Sequence, residues 1–245
     1  MAEFVVHVGA KSAQGVRPRN EDRFVADPQR PVFLVADGMG GQDCGDRASG
    51  IAADLIPRAV EALLAAREDP SQAVQQALDE ANQAIISAGK SQAFTRRMGT
   101  TAVVAVRQAD QVYVAGLGDS RAYLVRGNRV EQLTVDHTVA DALERNGTLT
   151  RDQARGSPWR NVLYKFLGCA EMSGGAEVRP FTPEAGDRLI LASDGLTNHV
   201  TEQDLREGAV RFQSPQEWAE HLVQIALERG SRDNVTCVIV AFDRE

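Results

Sequence analysis

Phe33-Leu34-Val35-Ala36-Asp37-Gly38-Met39-Gly40-Gly41 reads as a buried strand that ends in an acid and three glycines. Four apolar residues in a row, without alternation, predict a strand covered on both faces. The glycines let the chain turn sharply and leave its carbonyls and amides open to a ligand. A carboxylate delivered by a rigid strand into bare backbone is a way to present oxygen ligands to a hard cation. A lone Asp-Gly would be an ordinary turn opener. Here the pattern recurs at Leu189-Ile190-Leu191-Ala192-Ser193-Asp194-Gly195, where a second apolar run ends in Asp-Gly.

The chain around these two runs has 245 residues, enough for one large domain over 1–245 with a substantial core. With 43% apolar and 25% charged residues it is ordinary for a soluble globular protein, which excludes a disordered chain. No apolar run approaches the roughly 20 residues of a membrane span, and no secretory signal is visible at the N-terminus. Cys44, Cys169 and Cys237 are scattered, without a Cys-x-x-Cys pair. That argues against a disulfide framework or zinc site and points to a reducing, cytoplasmic location. The net charge of −7 speaks against a nucleic-acid partner.

Periodicity predicts strands at 3–12 and 24–25, then a helix over 46–66 that Pro57 should kink or break. A second helix, opened by Asp69-Pro70-Ser71-Gln72, should stop at Gly89. Between Gly99 and Leu133, four short β runs with short links predict an antiparallel β-meander, with Gly127-Asn128 as one hairpin turn. Residues 136–168 are irregular and rich in arginine, and read either as a mobile flap beside the site or as an ordinary surface insertion. The last third predicts a strand at 188–192, helices capped at Thr201 and Ser214, and a final strand from Val235. Helices near each end with strands between them suggest a layered α+β sandwich.

Asp22, Asp37, Asp119, Asp194 and Asp233 all stand at strand ends. If these acids converge without His or Cys ligands, they select Mg2+ or Mn2+. Several carboxylates can hold two such ions about 3.5–4 Å apart, the arrangement of metal-assisted phosphoester hydrolysis, in which a water is made more acidic and phosphoryl charge is neutralised. Arg17 or Arg19 could grip the phosphate through a planar fork.

Together the segments Arg17-x-x-Asn20-Glu21-Asp22, Val35 to Gly41, Gly99-Thr100-Thr101, Gly118-Asp119-Ser120-Arg121, Asp136-His137, Ser193-Asp194-Gly195-Leu196 and Asp233-Asn234-Val235-Thr236 resemble the metal-dependent protein Ser/Thr phosphatases of type 2C, in their compact bacterial form. The segments keep the family's order and span almost the whole chain. The resemblance implies a four-layer α-β-β-α sandwich of two antiparallel sheets, with two Mn2+ or Mg2+ ions and a third, weaker one in the cleft between their edges. It implies that Asp37 bridges both ions, that the Gly38 carbonyl ligates the second, and that Asp194 and Asp233 ligate the first. Glu21 and Asp22 would hold metal-bound waters, Asp119 would serve the third ion, and Arg17 would bind the substrate phosphate. Arg121 would be a salt-bridge partner.

The implied reaction is direct attack by water on phosphoserine or phosphothreonine of a protein, opposing a bacterial Ser/Thr kinase, in a monomer that uses neither nucleic acid nor membrane. Met39 stands where animal members carry the His proposed as general acid, so that role does not carry over. His137 is the one histidine in a family segment, suited either to orienting the flap junction or to moving protons. Two rivals differ in chemistry: a catalytically silent binding module, which should have lost metal acids, and a two-metal nuclease, which would want a basic groove.

Overall fold

The computed structural model describes residues 4–40, 44–91, 98–170 and 175–244. Gly41, the last glycine of the first quoted stretch, lies outside them. Two antiparallel sheets stack face to face. One has the order β1 (Phe4–Ala13), β11 (Val235–Arg244), β10 (Asp187–Ala192), β7 (Arg121–Arg126), β8 (Arg129–Gln132). The other runs β2 (Asp22–Val25), β3 (Val32–Met39), β5 (Ala102–Gln108), β6 (Gln111–Leu117), β9 (Val178–Phe181), with the two-residue β4 (Gly99–Thr100) on the end of β3. Helices α1 (Cys44–Ala65) and α2 (Pro70–Ser91) cover the second sheet, and α6 (Glu202–Arg211) and α7 (Pro215–Glu228) cover the first. This is the four-layer α-β-β-α sandwich that the resemblance implies.

The layers explain why the central strands lack alternation. Side chains along a strand point alternately to its two faces. Val32, Leu34 and Ala36 of β3 therefore enter the core under α1 and α2, while Phe33 and Val35 enter the core between the sheets. In the other sheet, Leu189 and Leu191 of β10 face the inter-sheet core, and Ile190 and Ala192 face Trp218 and Leu222 of α7. Every one of these residues is buried.

Three sequence expectations are corrected. The β runs between Gly99 and Leu133 do not form one meander. β5 pairs with β6 and β7 with β8, but the chain changes sheets at 118–120, so β6 pairs with β9 and β7 with β10. A short link proves proximity, and a left-handed Gly118 (φ +96°) is enough to send the chain to the facing sheet. Pro57 does not break α1, which continues through it to Ala65; the ring is buried in the packed interior, and burial of the helix face outweighs one missing hydrogen bond. Gly89 does not stop α2, which runs on to Ser91. A helical glycine costs only about 1 kcal/mol relative to alanine.

The caps stand where they were read, although Ser214, read as opening a capping box, shows only one half of it, its Oγ accepting from Glu217 N (3.4 Å). Asp69 Oδ1 accepts from the amides of Ser71 and Gln72 (3.0 and 3.1 Å), and Thr150 and Thr201 form reciprocal capping boxes with Gln153 and Asp204. Strand β9 lies in a stretch the sequence reading passed over; with Val178, Pro180 and only four residues, it carries little periodic signal. Residues 136–168 hold α3 (Val139–Arg145) and α4 (Arg151–Arg155) and lie along one end of the sandwich.

Candidate metal centre

Strand pairing brings the acids together. Asp22 and Asp37 are cross-strand partners in the β2–β3 pair. β10 and β11 are antiparallel, with Ala192 opposite Cys237, so Asp194 just past one strand and Asp233 just before the other fall at the same edge. Asp119 follows β6, whose Leu117 pairs with Ala102, and Thr101 N donates to the Asp37 carbonyl (2.9 Å). The ends of both sheets therefore open on one cleft of about 960 Å3. Arg17, Glu21, Asp37, Gly38, Asp119, Asp194 and Asp233 line it, with Asn161, Val162, Leu163 and Phe166 coming from the flap segment.

Asp22 differs from the others. It is 2% exposed and does not line the cleft, sitting instead beneath it. Its Oδ2 accepts from Ser193 Oγ (2.9 Å) and Thr236 Oγ1 (2.6 Å), which ties β2 to the facing sheet. Its Oδ1 is buried with no hydrogen-bond partner. Gly38 is held where no side chain fits: a Cβ there would stand 2.2 Å from the Gly45 carbonyl oxygen and 2.7 Å from that of Glu21. The exposed guanidinium of Arg17 reaches Asp233, Nη2 to Oδ2 2.6 Å.

The electrostatics are those of acids crowded into a partly dry site. Burial, and then the charges of Asp22 and Asp194, push the Asp37 carboxyl well above the usual carboxylate range. Burial raises Asp22 to about 6, its two hydroxyl donors opposing the shift. Burial with Asp194 and Asp136 nearby raises Asp119 to about 7. Asp194 is raised by burial and by Asp233. Glu21 is raised by burial and by Asp46.

The donor set suits hard divalent cations. None of the described residues lining the cleft is a His or Cys, and carboxylate and carbonyl oxygens favour Mg2+ or Mn2+. The orphaned Asp22 Oδ1 and the raised carboxyls are groups that a positive charge or its water shell would satisfy. Among the described residues, no three His, Cys, Asp or Glu side chains stand in ready-made ligand geometry; the acids share the cleft without closing on one point.

His137 is outside the cleft lining. Its Nδ1 accepts from Gly118 N (3.3 Å), and burial, with Lys165 and Arg145 nearby, brings it down to about 4. At neutral pH it is a neutral acceptor rather than a cationic proton donor. Arg121 forms a two-pronged pair with Asp136, Nη2 to Oδ2 2.6 Å and Nε to Oδ1 3.0 Å.

Several positioning groups escaped the sequence reading. Asn234 Oδ1 accepts from Glu21 N (2.8 Å), while its Nδ2 donates to the carbonyls of Gln14 and Arg19 (2.9 Å each), fastening the segment that carries Arg17. Thr101 Oγ1 accepts from Asp37 N (3.0 Å) and is 2.7 Å from Ser120 Oγ. Ser49 Oγ donates to the Glu21 carbonyl (2.6 Å). Asn234, Thr101, Ser120, Ser193 and Thr236 stand inside the quoted segments, so position beside an acid was the available signal. Their partners, up to 220 residues away, were not readable.

A family model described as protein phosphatase 2C matches residues 6–146 and 176–235. The serine/threonine phosphatase stp of Listeria monocytogenes is 35% identical over 97% of this chain and 96% of its own. Protein phosphatase PhpP of Streptococcus pneumoniae is 32% identical over 94% of each. The catalytic domain of serine/threonine protein phosphatase PstP, solved with two manganese ions, superposes with a TM-score of 0.83 at 29% identity, over 98% of this chain and 100% of that one. The four-layer fold, the acid-lined cleft and these likenesses agree, and the chain belongs to the protein phosphatase 2C family of serine/threonine protein phosphatases.

Proposed function

We propose that this chain hydrolyses phosphoserine and phosphothreonine in proteins at the cleft between the sheet ends, with two Mn2+ or Mg2+ ions and a third, weaker one held by its acids. The observation that carries this reading is the delivery of Asp37, Asp119, Asp194 and Asp233 from the ends of two different sheets into one cleft with Arg17 at its mouth. Bound cations would supply Lewis-acid neutralisation of phosphoryl charge and a more acidic water.

The chain's own residues supply the rest. Asp37 and the Gly38 carbonyl present oxygens from β3, and Asp194 and Asp233 present theirs from the facing sheet. Asp119 serves the weaker ion. Asp22 and Glu21 act from beneath and beside the cleft, Asp22 through the oxygen that no protein donor occupies. Arg17 exchanges its bond to Asp233 for the phosphate, which its planar fork can grip in two places. Met39 lines the cleft where it can donate no proton, so the leaving oxygen takes its proton from water. A Ser/Thr kinase acting on the same proteins is the expected counterpart.

The test is turnover of p-nitrophenyl phosphate and a phosphothreonine peptide, each with Mn2+ and with chelator. Asp37→Asn or Asp194→Asn should lower turnover roughly 100-fold or more, the scale of losing a central electrostatic contact. Peptide binding without turnover in the wild type would overturn the reading in favour of a silent module. Activity confined to phosphodiesters would overturn it in favour of a nuclease.

A further inference from the structure

The segment spanning 136–168 is fastened to the acid-bearing turns at two points. At one, Leu167 and Thr100 pair as an isolated antiparallel bridge, with N–H to O distances of 2.9 and 3.0 Å. Thr100 Oγ1 in turn donates to the Asp37 carbonyl (2.9 Å). At the other, His137 N donates to the Gly118 carbonyl (2.9 Å), and Gly118 N donates back to His137 Nδ1 (3.3 Å). Gly118 immediately precedes Asp119 and has φ +96°, a conformation that side-chain-bearing residues rarely adopt; a Cβ there would also stand 2.6 Å from Thr101 Cγ2.

The same histidine faces the flap. Its ring meets Tyr164 edge to face, centroids 5.6 Å apart at 89°, and Tyr164 N donates to the His137 carbonyl (3.0 Å). Tyr164 is steadied by Arg145, whose Nη2 donates to its hydroxyl (2.8 Å). The neighbouring Leu163, bridged to Thr138, and Phe166 line the cleft. One imidazole thus bonds the backbone of the Asp119 turn on one side and packs on the cleft-lining strap on the other.

We infer that His137 is a positioning residue that sets the aim of Asp119 and the seating of the Tyr164 strap together. This rests on the reading of Asp119 as a cation ligand. The imidazole supplies two separable things: an acceptor for the Gly118 amide and a ring for Tyr164. Without the acceptor, a buried amide in a left-handed turn loses its partner, and the turn that carries Asp119 is free to rotate. Without the ring contact, the imidazole itself is no longer held in place.

His137→Phe keeps a ring and removes the acceptor. His137→Asn keeps an acceptor near the Nδ1 position and removes the ring. Tyr164→Leu disturbs the contact from the flap side and leaves the imidazole intact. Each is titrated with Mn2+ by calorimetry, alongside kcat and KM on a phosphothreonine peptide. His137→Phe should weaken the most loosely held Mn2+ roughly tenfold, the scale of losing a group that supports a ligand, and lower kcat with KM nearly unchanged. His137→Asn should restore most of that Mn2+ affinity. Tyr164→Leu should weaken the same ion in the same direction.

A wild-type Mn2+ titration for His137→Phe overturns the inference, as does a His137→Asn protein as impaired as His137→Phe. If circular dichroism shows His137→Phe unfolded, Tyr164→Leu decides, and a wild-type titration there overturns the coupling. Wild-type protein that binds no Mn2+ at all overturns the reading of the acids, and this inference with it.

Discussion

Arg17 and Asp233 form an ion pair in which both partners are well exposed, 57% and 37%. Such pairs contribute about 0–1 kcal/mol to stability, so this one has little structural work to do. Arg17→Ala should therefore leave the melting temperature nearly unchanged while raising KM for a phosphothreonine peptide roughly tenfold or more. Charge-assisted bonds to a phosphate are worth about 1.5–3 kcal/mol. Arg17→Lys should recover only part of the loss, because an ammonium lacks the fork. An unchanged KM in Arg17→Ala would remove Arg17 from substrate binding. Asp119 carries a different signature. Folded, it keeps its proton up to about pH 7, whereas unfolded it loses it near 4, so the folded state binds more protons between those limits. Its contribution therefore makes the chelator-treated protein less stable as pH rises from about 4 to about 7, and Asp22, raised to about 6, acts in the same sense. Melting curves in chelator at pH 5 and pH 7.5 should show this fall, and Asp119→Asn should shrink it by on the order of 1 kcal/mol, about 2–4 °C for a chain of this size. The acids themselves were legible in the sequence because each stands at or close to one end of a strand. What steadies them was not: Asn234 and Thr236 act on residues more than 200 positions away, a relation that only strand pairing reveals.

Among the elements, α6 and α7 show where sequence reading stops. Their caps were legible because a hydroxyl that accepts from the amide three residues on works within one turn, a wholly local matter. Their contact was not. Gly208 of α6 faces the indole of the fully buried Trp218 on α7, and a Cβ at 208 would stand 2.0 Å from Trp218 Nε1. The glycine reads in the sequence as a weak helix position, yet it is the gap that the largest core side chain fills. Gly208→Ala would raise helix propensity by about 1 kcal/mol in isolation. In this packing it should instead lower stability by about 1–3 kcal/mol, measured by urea denaturation, with KM unchanged because the contact lies on the far side of the sheet from the cleft. A neutral or stabilising result would mean that α6 shifts freely on the sheet. The crossing between β6 and β7 has the same logic: each strand was readable, but which sheet it joins depends on partners still to come in the chain, β9 and β10.

At the scale of the molecule, the cleft is a seam. One sheet contributes Asp37 and the Asp119 that follows β6, with Asp22 beneath them, and the other contributes Asp194 and Asp233. The layered architecture was legible because unalternating apolar strands require cover on both faces, and the acids at their ends then have to meet where the sheets end. Raised carboxyls on both sides mean that this edge is under electrostatic strain as pH rises. Cations binding across it would relieve that strain and couple the two sheets. A ligand that binds only the folded state stabilises it by RT ln(1 + [L]/Kd), about 2.7 kcal/mol at a hundredfold excess over Kd. For a domain of this size that corresponds to a melting shift of roughly 5–10 °C. Saturating Mn2+ should therefore raise the melting temperature by about that much over chelator-treated protein, more at pH 7.5 than at pH 5, since protons and cations compete for the same oxygens. Asp37→Asn and Asp194→Asn, which alter opposite sides of the seam, should each abolish most of the shift. If only one of them did, the cations would be held by a single sheet, and the cleft would be a site on one layer rather than a clasp between two.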